Sequence, residues 1–225
     1  MSLNKNIQGT ANYTPIYIKN DEIIEICTIE SLILKYGNKI FNEDNVQVYE
    51  FNNIESWTDE GWKQVKYSRK YDYSKQSICR IVTNNGLVDV TDYSYLLNVF
   101  GEKNIYNKIE IGDNLLHFNL CEKAINSFNI YHDLNSIYIN GNDDMIKAAR
   151  YVNFLNSEKK RYEIINFEDS NIINIKMIKQ NNNKNLYSII QNHSIPYNHK
   201  YVYDLVTTNG HYAAGVGNII INAHF

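Results

Sequence analysis

Alternating apolar and polar residues run through most of the chain and predict β-strands. The alternation begins at 14–18, continues at 22–26 and recurs at 78–97 on both sides of Asn85-Gly86. Successive side chains of a strand point to opposite faces, so a period of two is typical of strands that bury one face. An Asn-Gly pair between two such runs indicates a hairpin turn. The pattern therefore predicts a mainly β fold.

Helical spacing of apolar residues occurs at two places. A run at 28–37 stops at a glycine, which predicts a short helix. The second run, 143–155, lies in an asparagine-rich, less regularly alternating segment at 120–186 and precedes strand patterns at 163–167 and 171–178. We therefore expect a small α/β insert within the β fold.

The bulk composition narrows the class of protein. A chain of 225 residues with 44% hydrophobic residues suits one large domain, or one domain with a small insert. The net charge of −3 offers no global basic field for nucleic acid. The cysteines, Cys27, Cys79 and Cys121, form no CxxC pair and indicate neither a disulfide framework nor a zinc site. We expect an intracellular monomer with no metal or other cofactor, no membrane span and no nucleic-acid partner.

The candidate chemistry lies at the end of the sequence. Strand patterns at 201–207 and 218–221 lead to Asn222, whose side-chain amide can attack its own backbone carbonyl, form a succinimide and cut the chain. This reaction is slow in a free peptide and needs positioning, a proton donor and an oxyanion partner. Asp204 and His211 could supply a carboxylate and an imidazole. The alternative is a buried strand pair with a structural histidine and an incidental asparagine.

Residues 203–222 read YDLVTTNGHYAAGVGNIIIN. This stretch resembles the C-terminal splicing motif of inteins, Tyr-Asp-Leu…His-x-Phe-x-Ala-Gly followed by apolar residues and then His-Asn. The resemblance implies that Asn222 cyclises and that His211 protonates or orients the scissile bond. It also implies that Asp204 relays protons and helps to activate the downstream nucleophile.

A second resemblance lies at 78–97, which is similar to the intein motif Val-x-Thr-x-x-Gly-x-Val-x-Val-Thr-x-Asp-His-Ser-Leu-Leu. In inteins the Thr and His of this motif twist and polarise the first scissile peptide bond, and the His protonates the departing amide. Here Thr91 is in place, but Ser94 stands where the histidine is usual. Serine cannot act as a near-neutral acid. Either the first step is disabled or it uses another donor.

The run that begins at Thr14-Pro15 resembles the first intein motif, in which a Cys or Ser is the first residue. The usual spacing makes Gly9 the first residue, and Ala11 is the other candidate if the motif is two residues shorter. Neither side chain can attack a carbonyl. By this comparison, the sequence lacks its first nucleophile.

Two positions at the end of the chain also depart from the intein pattern. Ala223 stands where a Cys, Ser or Thr usually accepts the acyl group, and Ile221 stands where a penultimate histidine is usual. With Ser94 and Ile221 both off-pattern, His211 would carry more of the acid–base work. We infer that the chain is an unspliced precursor in which both nucleophiles are replaced.

The resemblance implies the Hint fold, a flattened β horseshoe that brings both termini to one site. It implies no partner beyond the chain's own flanking exteins, and a location that follows the host protein. The expected organisation is an N-terminal flank at 1–8, a first half of the splicing domain at 9–119, an insert at 120–186, a second half at 187–222 and a C-terminal flank at 223–225.

The insert resembles the tail of a LAGLIDADG homing endonuclease, in which a helix precedes a strand pair. The helix that carries the acidic metal-binding motif is absent, so we expect a degenerate remnant without nuclease activity. Residues 56–67 predict a hairpin with a turn at Asp59-Glu60-Gly61, and they resemble a run in the DNA-polymerase inteins of large DNA viruses. Two alternatives stay open: a non-catalytic β-rich scaffold, and an endonuclease-containing intein with residual DNA binding.

Overall fold

The structure is a computed structural model of the chain. Residues 1–5 and 224–225 of the expected flanks and residues 127–133, 167–171 and 179–186 of the expected insert lie outside the described residues. The structure describes residues 6–43, 45–101, 103–126, 134–166, 172–178 and 187–223.

Strands dominate the described residues, as the alternating pattern predicts. The strands are β1 Thr10–Ala11, β2 Pro15–Asn20, β3 Ile23–Thr28, β4 Asn38–Glu43, β5 Val46–Glu50, β6 Ile54–Thr58, β7 Gly61–Asp72, β8 Ser77–Thr83, β9 Gly86–Val90, β10 Tyr95–Leu97, β11 Lys103–Ile105, β12 Ser136–Asn140, β13 Arg161–Asn166, β14 Ile172–Ile178, β15 Ile189–Pro196, β16 Tyr201–Thr207, β17 His211–Ala214 and β18 Ile219–Asn222. The helices are α1 Ile29–Tyr36 and α2 Met145–Ser157, with 3₁₀ turns at Tyr106–Lys108 and Asn142–Asp144.

Fifteen of these strands form one antiparallel sheet, ordered β11–β10–β18–β17–β2–β6–β7–β16–β1–β9–β8–β15. Strand β3 lies beside β2, and the β4–β5 hairpin lies beside β7. The first strand, β1, runs between β16 and β9, and the last strand, β18, runs between β10 and β17. The first and the last strand are therefore both held inside the sheet by strands that are distant in sequence.

Local signals in the sequence explain the short elements. The hydroxyl of Thr28 accepts a hydrogen bond from the Ser31 amide at the start of α1, and Gly37 ends the helix. The predicted turn at Asn85-Gly86 is displaced by one residue, because Thr83 pairs with Gly86 and the loop is Asn84–Asn85. A Cβ at Gly86 would lie 2.3 Å from Cε1 of His117, so glycine is required there by packing.

The insert is an α/β unit that shares a core with the large sheet. Its three strands are ordered β12–β14–β13, of which β12 was not predicted. Helix α2 contributes Met145 and Val152 to a buried cluster that also contains Ala11 of β1. The Tyr162 hydroxyl donates to the Asn85 carbonyl at 3.1 Å. The insert therefore packs directly against the β8–β9 hairpin.

A buried histidine links the middle of the chain to its last hairpin. His117 Nδ1 is 2.7 Å from the Gly217 carbonyl oxygen, and its Nε2 is 3.3 Å from the Thr83 hydroxyl. Only Nδ1 can donate to the carbonyl, which leaves Nε2 as the acceptor. Burial lowers the pKa of His117 from 6.5 to about 4, against an opposing effect of the Gly217 carbonyl. These contacts fit a structural role.

This histidine makes stability depend on pH. Its folded-state pKa lies below its unfolded one, so between pH 6.5 and about 4 the unfolded chain binds a proton that the folded chain does not. We expect this group to cost about 3 kcal/mol of unfolding free energy as the pH falls through that window. When urea denaturation is measured at several pH values across the window, the unfolding free energy of His117→Asn should depend less on pH than that of the wild type. The exposed His199→Asn should keep the wild-type slope, and an equal slope in all three proteins would contradict the assignment.

Candidate functional site

The backbone around Gly9 is held by two hydroxyl side chains. Ser94 Oγ accepts the Gly9 amide at 3.1 Å and lies 2.9 Å from the Gly9 carbonyl oxygen. The same carbonyl accepts the Thr91 amide at 2.9 Å. The Thr91 hydroxyl donates to the Ile7 carbonyl at 2.7 Å. These hydrogen bonds fix the backbone on both sides of the Gln8–Gly9 peptide bond.

The two hydroxyl protons of Thr91 and Ser94 limit the hydrogen bonds that this pair can donate. Thr91 Oγ1 and Ser94 Oγ are 2.9 Å apart, and each carries one proton. Because the Thr91 proton is given to the Ile7 carbonyl, Ser94 can donate either to Thr91 or to the Gly9 carbonyl. Ser94 therefore orients the Gly9 amide as an acceptor. It is completely buried and lacks the titratable proton that an imidazolium would bring.

The two candidate first residues have different surroundings. A Cβ at Gly9 would lie 2.8 Å from the Tyr203 carbonyl oxygen, so any larger residue requires a shift of the backbone. Ala11 pairs with Val202, and its methyl group is buried in the cluster shared with the insert. The hydroxyl pair of Thr91 and Ser94 contacts the backbone of Gly9.

Strand register places Asn222 between two side chains. Asn222 is directly opposite His211 on β17 and directly opposite Tyr95 on β10. Opposed residues in antiparallel strands share a face, with Cβ atoms about 5 Å apart. The row Tyr95–Asn222–His211 therefore lies on one face of the sheet. Asn222 is 6% exposed, so its amide is largely shielded from water.

The Gly210 carbonyl gathers the two nitrogens on either side of the Asn222 carbonyl. It accepts the Ala223 amide at 2.8 Å and the Asn222 side-chain amide at 3.4 Å. Ala223 is 1% exposed. The attacking nitrogen and the leaving nitrogen of a cyclisation would thus share one anchor. This geometry suits an intramolecular attack on the Asn222–Ala223 bond.

His211 contacts a carboxylate to which no sequence signal pointed. Asp59, in the turn between β6 and β7, has its carboxylate oxygens 2.9 and 3.1 Å from His211 Nδ1. Burial raises the pKa of Asp59, but the hydrogen bond and charge of His211 with further hydrogen bonds outweigh it, so the net pKa is lowered. The turn itself was predicted, at Asp59-Glu60-Gly61, without a functional role.

Asp204 forms an ion pair with an arginine that the sequence did not indicate. Its carboxylate lies 2.5 Å from Arg69 Nη2, in the adjacent strand β7, and it is 2% exposed. Burial lowers the pKa of Arg69, but the Asp204 charge raises it and the net pKa is raised. Burial raises the pKa of Tyr212, the residue after His211, and the charge of Asp204 adds to that effect.

Ile221 is a core residue. It is 2% exposed, opposes Leu96 and Tyr212 in the sheet, and belongs to the main buried cluster. Consecutive strand residues point to opposite faces, so Ile221 faces away from the row that contains Asn222. A side chain at this position therefore packs the sheet and does not enter the candidate site.

The sheet brings the two ends of the chain together. Thr10, next to Gly9, pairs with Tyr203, next to Asp204. Tyr95, next to Ser94, pairs with Asn222. The predicted site residues therefore form two neighbouring groups. Gly9, Thr91 and Ser94 make up the first. His211, Asn222 and Ala223 make up the second, next to Tyr95.

The described part of the chain lacks two further features, a metal-binding cluster and a membrane-spanning helix. No three histidine, cysteine, aspartate or glutamate side chains converge there in a group that could hold a metal ion. No helix in the same residues is long and apolar enough to cross a membrane.

Several solved structures share this fold. The Mvu transcription factor IIB mini-intein matches with a TM-score of 0.56 at 14% identity, covering 95% of this chain and 99% of that one. An intein from a hyperthermophile matches with 0.56 at 11%, covering 96% and 99%. The Pab PolII intein matches with 0.55 at 13%, covering 96% and 100%. No family model and no curated protein matches the sequence.

At such low sequence identity, these structural similarities establish the fold and not the activity. The predicted mainly β, Hint-like intein fold is confirmed. The similarity extends over almost the whole of each intein chain.

Removing Arg69 should leave a buried carboxylate without its cation. We expect Arg69→Met to lower the unfolding free energy by about 2 kcal/mol, less than for a fully buried pair because Arg69 is 16% exposed. The double variant Arg69→Met/Asp204→Leu should recover most of this loss. Lys75→Met, which breaks the exposed pair with Asp92, should cost less than about 1 kcal/mol in the same urea titration. Equal losses for the two single variants would refute a special role for the Arg69 pair.

Proposed function

We propose that this chain is an autocatalytic protein-splicing domain whose C-terminal step is the cyclisation of Asn222. The observation that carries the proposal is the register of β17 and β18, which sets Asn222 directly opposite His211. The anchoring of the Ala223 amide on the Gly210 carbonyl adds to it. The intein fold is consistent with the same activity.

In the proposed C-terminal step, the Asn222 side-chain nitrogen attacks the Asn222 backbone carbonyl carbon. A new carbon–nitrogen bond closes a succinimide, and the bond to the Ala223 nitrogen breaks. The amide proton passes to His211, which returns it to the departing Ala223 nitrogen. The shared Gly210 carbonyl holds both nitrogens near the reacting carbon. Because the fold has already ordered these groups, the reaction avoids the entropy loss that ordering them would cost in a free peptide.

In the proposed N-terminal step, Gly9 is the first residue. Thr91 and Ser94 hold the backbone on both sides of the Gln8–Gly9 bond, which supports Gly9 over Ala11. Gly9 has no nucleophilic atom, so the chain would be a precursor with its first nucleophile replaced. Residues 1–8 and 223–225 would be remnants of the exteins, which are the domain's partners in cis and determine where it resides.

The insert would be a remnant of a homing endonuclease. It consists of a helix and a three-stranded sheet, and the described residues contain no cluster of three or more His, Cys, Asp or Glu side chains that could hold a metal ion. Asp144 instead pairs with Lys147. The resemblance of 56–67 to viral DNA-polymerase inteins supports an origin within that group.

The proposed C-terminal step can be tested on the chain as it is. Incubation near neutral pH should release the tripeptide Ala-His-Phe slowly, and intact mass spectrometry should show a remaining chain that ends in a succinimide. A succinimide end is lighter by one water than a hydrolysed end, so the mass separates cyclisation from proteolysis.

Matched variants identify the groups involved. Asn222→Ala should abolish the release, and His211→Gln should slow it by about 100-fold or more. His199→Gln, an exposed histidine, should leave the rate unchanged. No release from the wild-type chain over weeks would leave the inert scaffold as the better account of the fold.

A thiol at position 9 should restore the first step in part. We expect Gly9→Cys to release residues 1–8 when dithiothreitol is added, whereas Ala11→Cys should not. The rate should be low, because Ser94 cannot protonate the departing amide and the new Cβ crowds the Tyr203 carbonyl. The fragment released, measured by mass, locates the cut, and release of a 1–10 fragment from Ala11→Cys would reverse the choice of first residue.

A further inference from the structure

We propose that Asp59 is a positioning residue that fixes the His211 imidazole in its Nδ1–H tautomer and so leaves Nε2 to exchange the proton with Asn222. The inference rests on the proposed function and extends it, because the intein resemblance does not assign Asp59 a role. The residue lies in the β6–β7 turn, outside the strands that carry the other site residues.

The contact itself determines the tautomer. Both Asp59 oxygens lie within 3.1 Å of His211 Nδ1. An ionised carboxylate can only accept hydrogen bonds, so Nδ1 must be the donor. The lone pair of the neutral ring is then on Nε2. A histidine with the opposite tautomer would have a proton on Nε2 and could not accept one from the Asn222 amide.

A second set of contacts holds Asp59 in place relative to the β17 strand. The Asn209 side-chain amide donates to Thr58 Oγ1 at 3.2 Å and to Asp59 Oδ1 at 3.4 Å. Its carbonyl oxygen accepts the His211 backbone amide at 3.2 Å. One amide side chain therefore ties the β6–β7 turn to the start of β17. The distance between carboxylate and imidazole is set by this bridge.

Packing fixes the hairpin that bears Asp59. Trp57 contacts a buried cluster formed by Leu97, Ala213 and Ile220. Ala213 and Ile220 oppose each other two residues from His211 and Asn222, so this cluster lies on the same face as the candidate site. Trp57 also donates its indole proton to the Phe118 carbonyl at 2.7 Å. The hairpin is thus anchored against the layer that adjoins the reacting residues.

The chain has a specific need for such a residue. Among the described histidines, the register places only His211 opposite Asn222, while His117 is held by Gly217 on another part of the sheet. Position 94 is serine and position 221 is a buried isoleucine. One imidazole must accept the amide proton and return it, and a preset tautomer removes a competing unreactive form.

The step balances without a further reactant. The Asn222 side-chain nitrogen gives its proton to Nε2 as it bonds to the carbonyl carbon. The resulting imidazolium then gives that proton to the Ala223 nitrogen as the old bond breaks. Asp59 stays ionised throughout and stabilises the imidazolium, which is the role that a carboxylate plays beside a catalytic histidine in hydrolases.

The experiment compares Asp59→Asn, Asp59→Glu and the neighbouring Glu60→Gln. Glu60 is exposed and pairs with Lys63, so its substitution makes the same change of charge outside the site. Two readouts are taken on each protein: the imidazole ¹⁵N shifts of His211, assigned with His211→Gln, and the rate of Ala-His-Phe release. Thermal unfolding checks that each variant is folded.

We expect a protonated Nδ1 in the wild type and in Glu60→Gln, and a mixture of tautomers in Asp59→Asn. Release should slow roughly 10- to 100-fold in Asp59→Asn and recover in part in Asp59→Glu. The inference is overturned if folded Asp59→Asn keeps both the wild-type ¹⁵N shifts and the wild-type rate. If no protein releases the tripeptide while Asp59→Asn changes the tautomer, the proposed cyclisation fails and the control of the tautomer by Asp59 stands.

Discussion

The pairing of β18 with β10 on one side and β17 on the other is the constraint on which the site depends. A slip of one residue would turn Asn222 to the opposite face and bring Ile221 into its place. Burial opposes the slip, because Ile219 and Ile221 fill the main core while Ile220 fills a separate cluster on the other face. The slip would carry the Asn222 amide into the main core, and burying an amide without hydrogen-bond partners costs about 1–3 kcal/mol. Apolar packing thus determines which polar groups meet.

Three polar groups of the site are each compensated by a partner from a distant part of the chain. Arg69 faces Asp204, Asp59 faces His211, and the Thr91–Ser94 pair faces the backbone of Gly9. A buried charge or hydroxyl without such a partner would cost several kcal/mol. The contacts that align the reacting groups are therefore the contacts that make their burial tolerable, and the site cannot be separated from the stability of the fold.

Much of the fold follows from the spacing of apolar residues and from local capping and turn residues, whereas the side-chain pairs of the site do not. The alternation at 78–97 and the cap residues of α1 predict their elements because those signals are local. Asp59 and Arg69 were missed because they reach His211 and Asp204 across more than a hundred residues of sequence, in a register that only the assembled sheet defines. The β8–β9 turn was misplaced by one residue for a similar reason: Gly86 is needed against the His117 ring, and the turn itself is Asn84–Asn85.

The two ends of the site differ in kind. At the N-terminal end, Ser94 and Thr91 can orient a peptide bond but cannot exchange a proton near neutral pH. At the other end, an imidazole backed by a carboxylate can do so. Because the imidazole and its carboxylate lie at one end, the proposed C-terminal cut would draw on no group of the N-terminal end.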